Sequence, residues 1–283
     1  MSLMPGPPGA ISLHDFVQRH PRLFVLTGAG ISTASGIPGY RDASGRWLGG
    51  TPTQLREFLQ LEAARQRYWA RSMVGWLTVA AARPNGAHEA LARLGALGRI
   101  TQLVTQNVDG LHQRAGSTEV IELHGNIGRV VCLDCGEEHS RESVQHLLEA
   151  ANPSLSRAVA SPAPDGDAHV ETASLENFRV PACTCCAGTL KPDVVFFGES
   201  VPRARVEDAA AALERADAVL VVGSSLTVYS GYRFCIWAQR LGKPIAALNL
   251  GLTRADPLLE MKIEQACAPA LVQLVRQLER GAP

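Results

Sequence analysis

Apolar positions along this 283-residue chain follow two alternating patterns. The runs RLFVLTG (22–28), RITQLVTQNV (99–108), AVLVVGSS (218–225) and PIAALNLG (244–251) are nearly continuous in apolar residues. They lack the polar alternation of a half-exposed strand, so they predict strands buried on both faces. Between them, AHEALARLGALG (87–98), VEDAAAALERA (206–216) and PALVQLVRQLE (269–279) repeat apolar residues every three or four positions, as amphipathic helices do. Strands of the first kind alternating with helices of the second predict an α/β fold, a doubly wound parallel sheet covered on both faces.

Two stretches break this rhythm. Residues 51–83 are helical throughout and too long for a simple crossover, and residues 130–188 begin and end in cysteines around a loop-like SPAPDGDAH. The expected organisation is a sheet domain of residues 1–50, 84–129 and 189–283, a helical insertion at 51–83 and a metal-binding insertion at 130–188. The crevice between a sheet and its insertions is the expected ligand site.

Composition narrows the classes of partner. Hydrophobic content of 46% with 19% charged residues is that of a globular chain, and 27 basic residues balance 27 acidic ones. No global field favours nucleic acid or an anionic membrane. No apolar run reaches the roughly 20 residues of a membrane span. The start, MSLMPGPPGAISLHDF, lacks the basic and apolar regions of a secretory signal. A cytoplasmic location is expected, or the mitochondrial matrix in a eukaryote, and a monomer is favoured. In such a reducing compartment, seven cysteines suggest metal or core thiols before disulfides.

The first strand runs into LTGAGISTASGIPGYRD (26–42). A glycine bend leading into a helix start would offer free N–H groups and a positive dipole end to a diphosphate. Gly28 and Gly30 would allow close approach, with Ser32 and Thr33 as donors. Thr33 stands where the third glycine of a dinucleotide fingerprint belongs, so the loop also fits a plain strand-to-helix turn. Arg41 follows in a segment broken by Gly36, Pro38 and Gly39, where it can meet an anion or a ribose, or simply solvent.

Cys132 and Cys135 form one CxxC pair; Cys183 and Cys186 form another, and Cys185 lies inside the second. Doubled CxxC spacing suits a closed tetrahedral Zn2+ site that is structural, with Cys185 as an alternative ligand; free thiols or a redox pair are the competing reading. Cys235 and Cys267 sit in apolar, helical surroundings and read as core.

Polar groups gather where strands end. Gln106, Asn107 and Asp109 follow one strand, with His112 just beyond. His124 in ELHG suits a general base, although a single histidine more often serves as a structural hydrogen-bonder. Gly223, Ser224 and Ser225 repeat the glycine-and-hydroxyl design after another strand, and Asn249 ends a further one. KPDVVFFGE (191–199) reads as a stiff extended run, either a core strand or an edge that a peptide can join.

Taken together, TGAGIS, SGIPGYR, TQNVDGLH, ELHG, the CxxC pairs, KPDVVFFGE, VVGSSL and LNLG resemble the sirtuin family, in order and over most of the chain. The resemblance implies a Rossmann-like domain with a smaller zinc-binding and helical module. It also implies NAD-dependent removal of acyl groups from protein lysines, giving nicotinamide, O-acyl-ADP-ribose and free lysine. By the same resemblance His124 is the catalytic base, with Asn107 and Asp109 beside it. Gly28, Ala29, Gly30, Ser32, Tyr40 and Arg41 line the diphosphate and nicotinamide-ribose side, and Gln106, Asn107 and Asp109 surround the nicotinamide. Gly223, Ser224, Ser225, Asn249 and Cys267 hold the adenosine half. An acyl-lysine peptide lies along Val195, Phe196 and Gly198. Gly39 and Tyr40 depart from the aspartate and phenylalanine of many sirtuins. RYWARSMVGW (67–76) resembles a class II branch, in which Tyr68 and Arg71 would grip an acidic acyl group. ADP-ribosyl transfer to protein, or NAD sensing without catalysis, are the alternatives.

Overall fold

The computed structural model describes residues 12–39, 52–155 and 177–281, with the backbone of 162–163 and 167–168. Helix α1 (Leu13–Arg19) is opened by Ser12, whose hydroxyl accepts the Asp15 N–H, and leads to strand β1 (Leu23–Thr27). Helices α2 (Leu55–Gln60), α3 (Glu62–Ala81) and α4 (Gly86–Ala96) precede β2 (Ile100–Thr105). The short α5 (Leu111–Arg114) precedes β3 (Val120–Glu122). The chain then leaves this sheet for β4 (Gly125–Cys132), β5 (Glu138–Ser140), α6 (Arg141–Ala151), the two-residue strands β6 (Pro162–Ala163) and β7 (Asp167–Ala168), and β8 (Leu190–Val194). It returns through α7 (Arg203–Arg215), β9 (Ala218–Val222), α8 (Tyr229–Arg240), β10 (Ile245–Leu248), β11 (Met261–Ile263) and α9 (Cys267–Arg280).

The main sheet has the order β3-β2-β1-β9-β10-β11, and every pairing in it is parallel. This is the doubly wound, Rossmann-like arrangement expected from the continuous apolar runs. Strand order reverses between β1 and β9, so the loops after these two strands diverge and leave a crevice there. Both faces are covered. Leu23 and Val25 pack with Phe16, Leu91, Leu271 and Leu274 on one side, whereas Phe24 and Leu26 pack with Leu213, Phe234 and Ala238 on the other. Each fully buried Leu or Phe contributes about 1.5–3 kcal/mol of transfer free energy.

The second layer is smaller. Antiparallel strands in the order β5-β4-β8 pack against α2, α3 and α6 through Phe58, Trp69, Met73, Val130, Val144, Leu148 and Leu190. Arg141 is fully buried between α6 and α3. It donates to Gln145 Oε1 at 2.8 Å and to the Ser72 carbonyl at 3.0 Å, and lies over the rings of Trp69 and Trp76. Within residues 51–83 the expected helix forms over Leu55–Gln60 and Glu62–Ala81, broken at Leu61, whereas 52–54 and 82–83 are not helical and Gln54 bridges to Phe197. The extended run expected at 191–199 ends as a strand at Val194. Beyond it the Phe196 N–H turns to the Glu199 carboxylate, and Gly198 takes φ +79°. Among the described residues no helix is long and apolar enough to cross a membrane.

Candidate active site

The loop after β1 departs from the expected helix start. It makes two short 3-10 turns, Ala29–Ile31 and Thr33–Ser35, so this loop brings no helix dipole to the crevice. Nor are its glycine donors free: the Gly28 N–H bonds to the Val222 carbonyl at 3.1 Å and the Gly30 N–H to Gly223 at 2.8 Å. These glycines serve close packing. A Cβ on Gly28 would stand 2.7 Å from Ser224 Cβ, and one on Gly30 2.8 Å from the Gly223 oxygen. The two loops at the point of strand reversal are thereby pressed together, and beside them opens a cleft of about 980 Å³. Tyr40 and Arg41 lie outside the described residues.

Gln106 and Asn107 reach the cleft from the end of β2. Asn107 donates through Nδ2 to the Gly28 carbonyl at 3.2 Å and to Ser32 Oγ at 3.0 Å. Ser32 in turn donates to Asp109 Oδ2 at 2.7 Å, and Asp109 Oδ1 accepts the Leu111 N–H. Ser32 and Asp109 therefore form a layer behind the cleft wall and orient Asn107, leaving its Oδ1 for a ligand. Ala29, Gly223, Ser224, Ser225, Asn249 and Cys267 all line the cleft. Ser224 Oγ accepts from Gln106 Nε2 at 2.8 Å, which couples the two strand ends. Cys235 is fully buried, as expected, whereas Cys267 is a core residue that also edges the cleft.

His124 precedes β4 and faces the same cavity. Its Nδ1 lies 2.9 Å from the Gln106 carbonyl, which can only accept, so Nδ1 carries the hydrogen. Nε2 is then the acceptor of the neutral ring, and Ser230 Oγ donates to it at 2.8 Å. Burial pushes the ring's pKa down to about 4; the Gln106 carbonyl opposes this, and the charges of Arg205 and Arg233 add to it. A neutral imidazole with its Nε2 lone pair in a cleft is equipped to take a proton from a hydroxyl. His112 and His88 do different work. Both are buried, with ring centroids 4.9 Å apart, and burial lowers their pKa values to about 3 and about 4. His112 Nε2 meets Thr27 Oγ1 at 2.9 Å, beneath the cleft floor.

Tyr68, Arg71, Val195, Phe196 and Gly198 also line the cleft. Tyr68 packs against Phe58 and Phe196, with centroids 5.6 and 5.1 Å away, so it belongs partly to the module's core. The Val195 N–H is held by the His124 carbonyl at 2.8 Å, and the Phe197 carbonyl by the Leu55 N–H at 2.9 Å. This edge thus has fewer groups to offer a peptide than a bare strand. Ser230, Ser72 and Arg233 line the cleft without having been singled out in the sequence. The signal for Ser230 and Arg233 was their helix position, three residues apart and just past the VVGSSL loop.

The thiols of Cys132, Cys135, Cys183 and Cys186 converge, all within 4.8 Å of one another. Four thiolates at that spacing fit a closed tetrahedral Zn2+ site. Cys185 lies outside this tetrad. It forms a second group with Cys183 and His139, whose Nε2 is 3.4 Å from Cys183 Sγ. His139 was not anticipated, although it lies only four residues beyond Cys135.

A doubly wound sheet, a cleft at its strand reversal and a thiol-clamped module define a dinucleotide-binding α/β protein with a structural metal site. The chain belongs to the Sir2 family, whose profile matches residues 28–230. It is 57% identical over 263 residues to an NAD-dependent protein deacetylase of Xanthomonas campestris pv. campestris, covering 93% of this chain and 90% of the relative. It is 55% identical over 264 residues to one of Bordetella bronchiseptica, covering 93% and 96%. Among solved structures it resembles a complex titled Sir2-p53 peptide-NAD+, with a TM-score of 0.74 at 29% identity over 94% of this chain and 97% of that one. A Sir2 homolog–NAD complex gives a TM-score of 0.73, also at 29% identity, over 95% and 93%.

Proposed function

We propose a residue-level reading of an NAD-dependent protein deacylase, the activity that Sir2 membership and relatives of that name assign to this chain. When bound, NAD supplies an ADP-ribosyl carbon that loses nicotinamide and accepts the acyl oxygen of a modified lysine. His124 takes the proton of a ribose hydroxyl at Nε2, while the Gln106 carbonyl fixes the ring's tautomer. Asn107 presents its amide oxygen, oriented from behind by Ser32 and Asp109. Ala29, Gly30, Gly223, Ser224, Ser225 and Asn249 accommodate the dinucleotide. An acyl-lysine peptide enters beside Val195, Phe196 and Gly198. Cys132, Cys135, Cys183 and Cys186 hold Zn2+, which tethers β4 to the segment before β8. The observation carrying this reading is the neutral imidazole of His124 in the cleft wall, locked at Nδ1 by the Gln106 carbonyl and with Nε2 as the acceptor, here of the Ser230 hydroxyl.

The test is single-turnover chemistry with an acyl-lysine peptide and NAD, read by product mass. His124→Ala should slow deacylation by about 10²–10⁴-fold while NAD still binds. Undiminished turnover would remove His124 as the base, and an ADP-ribose adduct on the peptide would shift the reading to transfer. Tyr68 and Arg71, one turn apart on α3 in the cleft wall, further support acidic acyl groups as substrates. If Arg71→Ala leaves the ratio of glutaryl to acetyl turnover unchanged, that specificity is wrong.

A further inference from the structure

We propose that Arg233 is a carboxylate-binding position for the substrate peptide, next to the catalytic base; this rests on the deacylase reading of the same cleft. Arg233 stands three residues beyond Ser230 on α8, so the two side chains share a helix face, and both line the cleft. Its side chain is half-buried, and its Nε is sealed from solvent without a hydrogen-bond partner. Its guanidinium lies over the Tyr229 ring, 5.2 Å from the centroid, and among the described residues it meets no carboxylate.

Neighbouring charges are arranged otherwise. Arg205 is 3.3 Å from Asp193, and Arg129 bridges Glu122 and Asp193 at 2.9 and 2.7 Å. Glu199 edges the cleft, but it is engaged by Lys191 at 3.1 Å and by the Phe196 N–H at 2.8 Å. Among the described residues Arg233 is therefore a cation without an anion, partly stripped of water at a binding surface. That state is costly by itself and is relieved by a planar acceptor of opposite charge, to which a guanidinium can donate two parallel hydrogen bonds. In the reading above the dinucleotide lies along the loops of Ala29, Gly30 and Gly223–Ser225, whereas Arg233 stands on α8. The Arg233 position adjoins His124, Ser230 and the exposed Tyr229, where the acylated lysine and its neighbours must pass. The carboxylate can come from the tip of the acyl group or from an acidic side chain flanking the lysine. Either source has a further effect: neutralising Arg233 removes one of the charges that weaken His124 as a base.

The experiment measures peptide affinity directly, by fluorescence anisotropy on the zinc-loaded full chain, so that it does not depend on turnover. Acetyl-lysine peptides carry Glu, Gln or Lys at each flanking position in turn, and a glutaryl-lysine peptide carries neutral flanks. Wild type should bind one Glu peptide, or the glutaryl peptide, about tenfold tighter than its neutral counterpart, and the arm that responds identifies the source. Arg233→Met should abolish that preference, and Arg233→Glu should turn it toward Lys peptides, a reversal that general misfolding cannot produce. Equal affinities for the acidic and neutral peptides in wild type overturn the proposal. So does an Arg233→Glu variant that weakens all peptides alike or weakens only NAD binding. Turnover of the neutral acetyl peptide is scored separately, and its absence alongside a measured charge preference counts against the deacylase reading and not against Arg233.

Discussion

The main sheet and the thiol-bearing module hold themselves together by different means. Strands β1 and β9 are buried along their whole length and carry apolar residues to both faces, each covered by helices. The module has one small core, and two of its buried members, Cys132 and Cys183, also belong to the thiol tetrad that fits Zn2+. Its other central feature is Arg141, a buried cation held by amide and carbonyl oxygens and two indole faces, with no carboxylate among the described residues in hydrogen-bonding contact. Apolar burial carries the first region, whereas the second combines a small core with a thiol tetrad that fits a metal and a polar knot. The cleft lies where they meet, which is why its two walls should fail under different insults.

The largest separation should come from removing zinc. In small domains the metal's binding energy is folding energy, about 10 kcal/mol for a structural Zn2+ site. Chelation, or Cys132→Ser, should melt the module at a temperature where the parallel sheet persists, giving two thermal transitions in place of one. Cys185→Ser, outside the tetrad, should retain the zinc. A single unchanged transition in a chain shown by metal analysis to be zinc-free would end the distinction between the regions.

Arg141 should give the next effect. Arg141→Ala leaves the Gln145 and Ser72 acceptors unpaired and opens a void between Trp69 and Trp76, at a cost of about 3–5 kcal/mol. Arg141→Met fills the space without a charge and should cost much less, because a buried cation is expensive to keep dry. Urea midpoints of the two variants decide it. If Met is as damaging as Ala, the polar knot is itself the stabilising element.

How much of this was legible from the sequence differs along the same line. Continuous apolar runs disclosed the sheet, because strands buried on both faces leave no other pattern. The strand-end residues Gln106, Asn107 and Asn249 were legible for a topological reason, as these ends of an open parallel sheet face its crevice. The backbone after β1 was not legible. Gly28 and Gly30 suit a phosphate cradle and a tight loop-to-loop contact equally, and only the Gly223 and Ser224 neighbours reveal the second role. Ser32 and Asp109 looked like contact residues, yet their hydrogen bonds to each other and to Asn107 place them a layer deeper. Ser230 and Arg233 were missed because their only signal, a three-residue spacing at a helix start past the VVGSSL loop, does not by itself point to a site. Their meaning comes from His124, more than a hundred residues earlier in the chain.

Acid should weaken the opposite region, by the smallest step per group. His88, His112 and His124 belong to the sheet and its cleft, and burial holds all three below the ordinary histidine value of 6.5, to about 4, 3 and 4. The sign follows from which state binds more protons. Above pH 6.5 the rings are neutral whether the chain is folded or unfolded, so their burial brings no titration penalty. As pH falls below 6.5 the unfolded chain takes up protons that the folded chain refuses. Stability then declines, and it levels only once pH passes below the folded values near 3–4. One unit below 6.5, each ring should cost about 1 kcal/mol. Thiolate ligands also take up protons in acid, so raw acid sensitivity mixes the two regions. Replacing one ring separates them, since zinc loss is common to both proteins. His112→Gln should lose less stability between pH 7.5 and 5.5 than wild type, by about 1 kcal/mol in urea titrations, even if it is less stable throughout. Parallel pH curves for the two proteins would mean that this ring is not buried neutral and that the sheet owes its acid sensitivity to something else.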